Sequence, residues 1–161
     1  MVQAMARPAL QLATLLLEDS TLAEDIVQEA FVRAWQSPKT PREPREFRRW
    51  LYRIIVNLVR DHQRRRSIWS RLHIVVEPVA DPGAIFEDRL IEAAVDEAIR
   101  GLPPREREAV YLRYLQDISY EEIALITDSS AGACRVLVHR GLQKIGRRLT
   151  AQGLAPEGVR S

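Results

Sequence analysis

The 161-residue chain has a single cysteine, Cys134, so it can form no intramolecular disulfide and no thiolate metal cage. Histidine is scarce too: His62, His73 and His139 lie far apart, and none has the i, i+4 partner of a metal site on one helix. No apolar run approaches the roughly 18 to 20 residues that span a bilayer; Leu15 to Leu17 meets Glu18 at once. A signal-peptide cleavage pattern is missing as well, so a cytoplasmic protein without membrane insertion is expected. The sequence contains no glycine-rich phosphate loop, no nucleophile elbow and no His-Glu-x-x-His pair. Adjacent carboxylates such as Glu87-Asp88 and Glu121-Glu122 fit solvated helix faces. These absences argue against an enzyme, and no metal or other cofactor is implied.

Charge is abundant and unevenly placed. A formal net charge of +2 hides segments of -3 (residues 1–38), +8 (39–73), -8 (74–128) and +5 (129–161). Of the 24 cations only Lys39 and Lys144 are lysine. Arginine suits bidentate phosphate contacts and stacking. A GC-rich genome would also raise arginine everywhere, but it does not cluster it.

Periodicity reads as helix throughout. Ala9 to Leu17 is a short apolar helix. Thr21 and Glu24 form a capping box for a second helix, with Leu22, Ile26, Val27, Ala30, Phe31 and Ala34 inward and Asp25, Gln28, Glu29 and Val32 outward. Pro38, Pro41 and Pro44 force a stiff basic loop. From about Arg45 to Arg66 a long helix buries Phe47, Leu51, Ile54, Ile55 and Leu58 and carries a second stripe of Arg45, Arg49, Arg53, Asn57, Arg60 and Arg64. Trp50 and Tyr52 add aromatics to this basic element, a combination that holds phosphates and stacks unpaired bases, although Phe47 and Trp50 also suit a core. Residues 74–85 have no helical period and read as a flexible linker. Beyond it a helix from near Phe86 buries Leu90, Ile91, Ala94, Val95, Ala98 and Ile99 and ends at Gly101. Further helices run from Pro104 to about Leu115, from Tyr120 to Ile126 behind a Ser119/Glu122 capping box, and from Ser130 to about Leu149. The last pair has the layout of a helix-turn-helix.

Four blocks carry a family resemblance: Ala23 to Trp35 (AEDIVQEAFVRAW), Phe47 to Asp61 (FRRWLYRIIVNLVRD), Leu102 to Tyr114 (LPPREREAVYLRY) and Ser119 to Ala124 (SYEEIA). In this order they resemble bacterial RNA polymerase sigma factors of the extracytoplasmic-function (ECF) group, sigma-70 family. The resemblance implies an all-α chain of two small helical domains: sigma-2 at 1–72, a linker at 73–85, sigma-4 with its helix-turn-helix at 86–150, and a tail at 151–161. It implies binding to the RNA polymerase core, on the β′ clamp helices through Asp25, Gln28, Glu29, Val32 and Trp35 and on the β flap through the second domain. The loop at 36–46 and the basic helix would capture a flipped base and open the promoter -10 element, through Lys39, Arg42, Arg45, Arg49, Trp50, Arg53, Asn57, Asp61 and Arg64. The last helix would read the -35 element in the major groove through Ser130, Arg135, Val136, His139 and Arg140. Such proteins are commonly restrained by an anti-sigma factor, which becomes a candidate partner beside polymerase and promoter DNA. A stand-alone helix-turn-helix regulator is the alternative, and it has no use for the outward face of the second helix.

The chain also departs from that pattern. Thr127-Asp128-Ser129-Ser130 stands where the family usually has Leu-Gly-Ile-Ser, Cys134 where it has Val, and Leu137 where it has Arg. No aromatic precedes Phe47 in the basic loop.

Overall fold

The computed structural model describes residues 2–17, 19–70 and 87–154. The segment read as a linker, the start of the next helix at Phe86 and most of the tail lie outside the described residues. Every regular element among the described residues is helical: α1 (Val2–Leu17), α2 (Ser20–Gln36), α3 (Pro44–Ser70), α4 (Glu87–Arg100), α5 (Pro104–Val110), α6 (Tyr120–Thr127) and α7 (Ala131–Ala151). A π-helical turn, Tyr111–Leu115, extends α5. The chain divides into two compact units, Met1–Val79 with Glu121–Ser130, and Ala80–Tyr120 with Ala131–Ser161.

In the first unit α1, α2 and α3 pack pairwise on one another. Leu12, Ala13 and Leu16 of α1, Ala23, Ile26, Ala30 and Ala34 of α2, and Leu51, Tyr52, Ile55 and Val56 of α3 are buried. Small residues along α2 let its neighbours approach closely, and the bulk is supplied from α1 and α3. The first helix starts earlier than Ala9. It runs back to Val2 through Pro8, which forfeits one helical hydrogen bond, while the stripe Ala9, Leu12, Ala13, Leu16 gains burial. The expected Thr21/Glu24 box is replaced by Asp19, whose carboxylate accepts from Leu22 N at 3.0 Å. A cap one residue before Ser20 satisfies an orphan amide and adds a negative charge at the positive helix end. Leu22, Phe31 and Ile54, expected inside, are half-buried.

The turn after α6 explains one departure in the sequence. Asp128 has φ of 50°, the left-handed region for which glycine is the usual choice and aspartate among the tolerated residues. Thr127, at the apolar position, is buried and returns its hydroxyl to the Ile123 carbonyl at 2.9 Å. The geometry expected of glycine is therefore kept without it.

The second unit packs α5 and α4 on α7. Ala98, Ile99, Leu102, Ala109, Val110 and Leu112 are buried along with Cys134, Val138 and Ile145. Ile91, expected inside, is 49% exposed, and Ala94 and Val95 are half-buried. A periodic pattern marks an apolar face but not how far along the helix a neighbour reaches; among the described side chains of α4, which do not include Leu90, full burial falls at Ala98 and Ile99. Leu149 of α7 is likewise only half-buried. Tyr111 is buried, which pushes its phenol up to about 12 against the opposing hydrogen bond from Gln116 Nε2 at 3.1 Å.

Two glycines mark close approaches. A Cβ on Gly141 would lie 2.6 Å from Val110 Cγ2, so α7 meets α5 where a side chain would not fit. A Cβ on Gly101 would collide with the Arg148 guanidinium, which donates to the carbonyls of Ala98 at 3.1 Å and Gly101 at 2.8 Å. Gly101 follows the end of α4 as its sequence position implies, where glycine is commonly left-handed. Its φ is not positive, and what it provides is room for the arginine that satisfies the end of α4.

Lys144 Nζ donates to both oxygens of Glu106 at 2.8 Å, and the Glu106 side chain is 8% exposed against 44% for Lys144. This asymmetry has a consequence. Lys144→Met strands a buried carboxylate and should destabilise the protein by about 1–3 kcal/mol, whereas Glu106→Gln leaves an ammonium that water can reach and should cost less. Urea unfolding of both variants checks the order. Gly101→Ala should cost about 1 kcal/mol through loss of the Arg148 bonds. In an Arg148→Ala background the same change should be neutral or slightly stabilising, because alanine restricts the unfolded chain; a double-mutant cycle measures the difference.

Candidate nucleic-acid and partner-binding surfaces

The outer face of α2 follows from its core. With Ala23, Ile26, Val27, Ala30 and Ala34 inward, helical spacing turns Asp25, Gln28, Glu29, Val32 and Trp35 to solvent, and all five are exposed. Arg33 bonds Glu29 one turn away. Val32 is 47% exposed and Trp35 87%. A tryptophan so bare beside carboxylates marks a surface suited to contact with another macromolecule.

The loop after α2 is built from its own hydrogen bonds. Thr40 Oγ1 donates to the carbonyls of Ala34 and Ser37, and Lys39 N donates to Ser37 Oγ at 3.2 Å. Glu43 then caps α3, its carboxylate accepting from Glu46 N at 2.8 Å, and Pro44 takes the first helical position, where no N–H is needed. The backbone N–H groups of Glu46 and Arg45 hold the Glu43 carboxyl below its ordinary value. Lys39 and Arg42 stand exposed on this braced loop.

On α3 the expectation of a buried Phe47 holds, and that of Tyr52 as an aromatic available for stacking is corrected. Phe47 is 2% exposed and Tyr52 is fully buried, so neither is open to a base. Trp50 is half-buried, its ring centroid 6.5 Å from that of Phe47. The polar stripe is displayed as its spacing implies: Arg45, Arg53, Asn57, Asp61 and Arg64 are exposed and Arg49 half-exposed. Several of its cations already have partners within the same unit. Arg45 Nε donates to Glu122 at 2.8 Å, Arg53 to Asp128 at 2.7 Å, and Arg60 to the Thr127 carbonyl at 2.8 Å, all from α6 and its turn. Arg64 reaches Asp61 at 3.3 Å. The bond to Glu122 raises the Arg45 guanidinium above its already high value. The two pairs exposed on both sides, Arg53–Asp128 and Arg64–Asp61, contribute about 0–1 kcal/mol each, so a nucleic-acid phosphate can displace them.

Helix α7 displays a second polar surface. Cys134, Val138, Gly141 and Ile145 face inward, and Ser130, Arg135, Val136, His139 and Arg140 are all exposed. His139 Nε2 lies 3.2 Å from Gln143 Nε2. Leu137, at the position where an arginine was the family expectation, is half-buried. Sequence reading missed a ring contact here: Arg135 lies over Tyr120, 15 residues earlier, with Cζ 5.2 Å from the ring centroid. No periodic signal connects positions that meet only through a loop. Among the described residues no cluster of metal-ligating side chains occurs, and no helix is long and apolar enough to cross a membrane.

The model for sigma-70 region 2 matches residues 1–68, and that for sigma-70 region 4 matches residues 92–145. The chain is 31% identical over 141 residues to the ECF RNA polymerase sigma factor SigW of Bacillus subtilis, covering 79% of this chain and 75% of that protein. It is 36% identical over 130 residues to SigE of Mycolicibacterium smegmatis, where the match covers 76% of this chain and 50% of the relative. The chain thus spans about half the length of the latter protein. Its fold matches a solved structure of the sigma factor RpoE in complex with the anti-sigma factor NepR from Bartonella quintana, with a TM-score of 0.77 at 22% identity over 92% of this chain and 94% of that one. With region 2 supplying the braced loop and basic helix and region 4 the second cationic helix, the chain belongs to the ECF RNA polymerase sigma factors of the sigma-70 family.

Proposed function

We propose that the chain binds core RNA polymerase and directs it to promoters, acting as a sigma factor in the cytoplasm and performing no covalent chemistry of its own. Residues 1–72 form the core-binding and -10 module, 73–85 a linker, 86–150 the -35 module and 151–161 a tail. The observation that carries this reading is the co-occurrence on one chain of two separate cationic helical surfaces with an exposed acidic and aromatic face on α2. Two cationic surfaces suit two DNA elements; the third face suits a protein. A stand-alone operator-binding regulator would use the α7 surface alone.

Each face has a stated task. Asp25, Gln28, Glu29, Val32 and Trp35 dock on the β′ clamp helices, with Trp35 as the apolar anchor and the carboxylates setting orientation. Lys39 and Arg42 on the braced loop, with Arg45, Arg49, Arg53 and Arg64, neutralise phosphates of the -10 region. Trp50, Asn57 and Asp61 serve the unpaired strand, where a half-buried ring and short polar groups are the tools for holding a flipped base. Ser130, Arg135, Val136, His139 and Arg140 enter the major groove at -35, arginine as the guanine reader and Val136 offering apolar contact to a thymine methyl. Strand opening is driven by binding energy, and the second module also rests on the β flap. An anti-sigma factor covering these faces is the natural regulator.

In vitro transcription with core polymerase, with and without the chain, on host genomic fragments tests the proposal; tight sequence-specific binding by the chain alone and no stimulation of transcription would favour the simple regulator. Asp25→Lys with Glu29→Lys should abolish co-purification with core while leaving helix content by circular dichroism unchanged, because both side chains are exposed. Asn57→Ala should spare closed-complex formation and weaken strand opening, read as reduced permanganate reactivity of unpaired thymines. Normal reactivity would place the melting role elsewhere.

A further inference from the structure

Gln143 lies outside the set of residues that the family resemblance assigns to the -35 element. It stands one helical turn beyond His139 on α7, and both side chains are exposed. The two meet nitrogen to nitrogen, with Gln143 Nε2 3.2 Å from His139 Nε2. Among the described residues no other hydrogen bond, ion pair or ring contact involves the His139 side chain. The helix beneath them is fixed, since Cys134, Val138, Gly141 and Ile145 are buried on its inner side. An amide nitrogen can only donate, so the ring nitrogen facing it must accept. A neutral imidazole shares one proton between two nitrogens, and the hydrogen bond made at one of them decides which holds it. With Nε2 accepting from Gln143, the proton resides on Nδ1.

We propose that Gln143 is a positioning residue that fixes His139 as an N–H donor toward the -35 bases, so that the base met by His139 is read as guanine in preference to cytosine. The inference rests on the reading of α7 as the -35 helix and goes beyond it by naming the group that sets the donor character of one reading side chain. In the major groove guanine shows two acceptors, O6 and N7, whereas cytosine shows its N4 amino donor. A ring held with its proton on Nδ1 pairs with the first and sets donor against donor at the second. A ring free to move its proton would present a donor or an acceptor as required, and would discriminate less. The bond is an i, i+4 contact on a helix surface, worth little in water, and it strengthens as the groove excludes water. The effect expected is a factor of about 2 to 5 in the His139-dependent preference.

The test uses holoenzyme reconstituted from core polymerase and the full chain, with a promoter library randomised across the -35 element and read out by transcription. The quantity measured is the ratio of output with guanine to output with cytosine at each position. His139→Ala should remove that preference at one position. Gln143→Leu, which removes the amide, should lower the ratio at the same position by about 2- to 5-fold. Gln143→Lys, a donor with no acceptor, should restore the ratio while raising output on both templates alike. In the His139→Ala background Gln143→Leu should change nothing further at that position. Ring-nitrogen NMR spectra of the full chain at mildly alkaline pH, assigned with His139→Ala, add a readout that a merely structural role would not move. The Nδ1–H tautomer of His139 should predominate in the wild-type chain and lose ground in Gln143→Leu. An Nε2–H ring in the wild-type chain, or a tautomer indifferent to Gln143→Leu, overturns the proposal. So does a ratio lost in His139→Ala but intact in Gln143→Leu, or one that lysine fails to rescue. A -35 preference that survives His139→Ala at every position refutes base reading by His139 and the proposal with it, while leaving α7 as the -35 helix; the absence of any -35 preference refutes that reading as well.

Discussion

The burial of one face of α3 is the constraint on which the first unit depends. Phe47, Leu51, Tyr52, Ile55, Val56, Leu58 and Val59 are nearly or fully withdrawn from water, and fully burying each such side chain contributes about 1.5–3 kcal/mol. A helix so committed on one side has no rotational freedom left. Its arginines and Asn57 are consequently displayed in a fixed row, and the cost of keeping several like charges along one helix is met by the apolar face behind them. Short pairings of Arg45 with Glu122 and of Arg53 with Asp128 ease the repulsion while both guanidinium groups stay exposed.

The same logic governs α7, with tighter tolerances. Its inward stripe contains Gly141, which brings the helix within side-chain contact distance of Val110, and its far end is tied by Arg148 to the last carbonyls of α4. Lys144 is fixed on Glu106 between these points. Cations on the inner edge of the helix thus hold the unit together, while those at Arg135 and Arg140 are turned outward. The division is physical. Arginine and lysine near a neighbouring helix end or a buried carboxylate gain those partners on folding, whereas Arg135 and Arg140 remain exposed.

Unusual residues in the turn between α6 and α7 are absorbed locally. Asp128 tolerates a positive φ, and Thr127 satisfies its own hydroxyl on the helix it terminates. A family pattern written in glycine and leucine can therefore be met by aspartate and threonine, since what the turn requires is a backbone angle and a satisfied buried side chain. The identity of the residues that supply them is secondary.

The amino-acid sequence by itself determined the helices, their apolar faces and the outward position of the residues assigned to polymerase and DNA, because the 3.6-residue period of burial is written in every long element. Asp25, Gln28, Glu29 and Val32 could be placed on one face from spacing alone, and Arg135 and His139 on another, whereas Trp35, Val136 and Arg140 entered through the family resemblance. Only the tertiary structure decided that Tyr52 belongs to the core and Ile91 does not, that Asp19 caps α2 in place of the Thr21/Glu24 box, and that Gly101 makes room for Arg148. It alone brought Tyr120 under Arg135. Periodicity reports which face of a helix is apolar, but how far a neighbour covers that face, and which distant side chain arrives at a ring or a carbonyl, depend on contacts between segments that have no shared pattern in the chain.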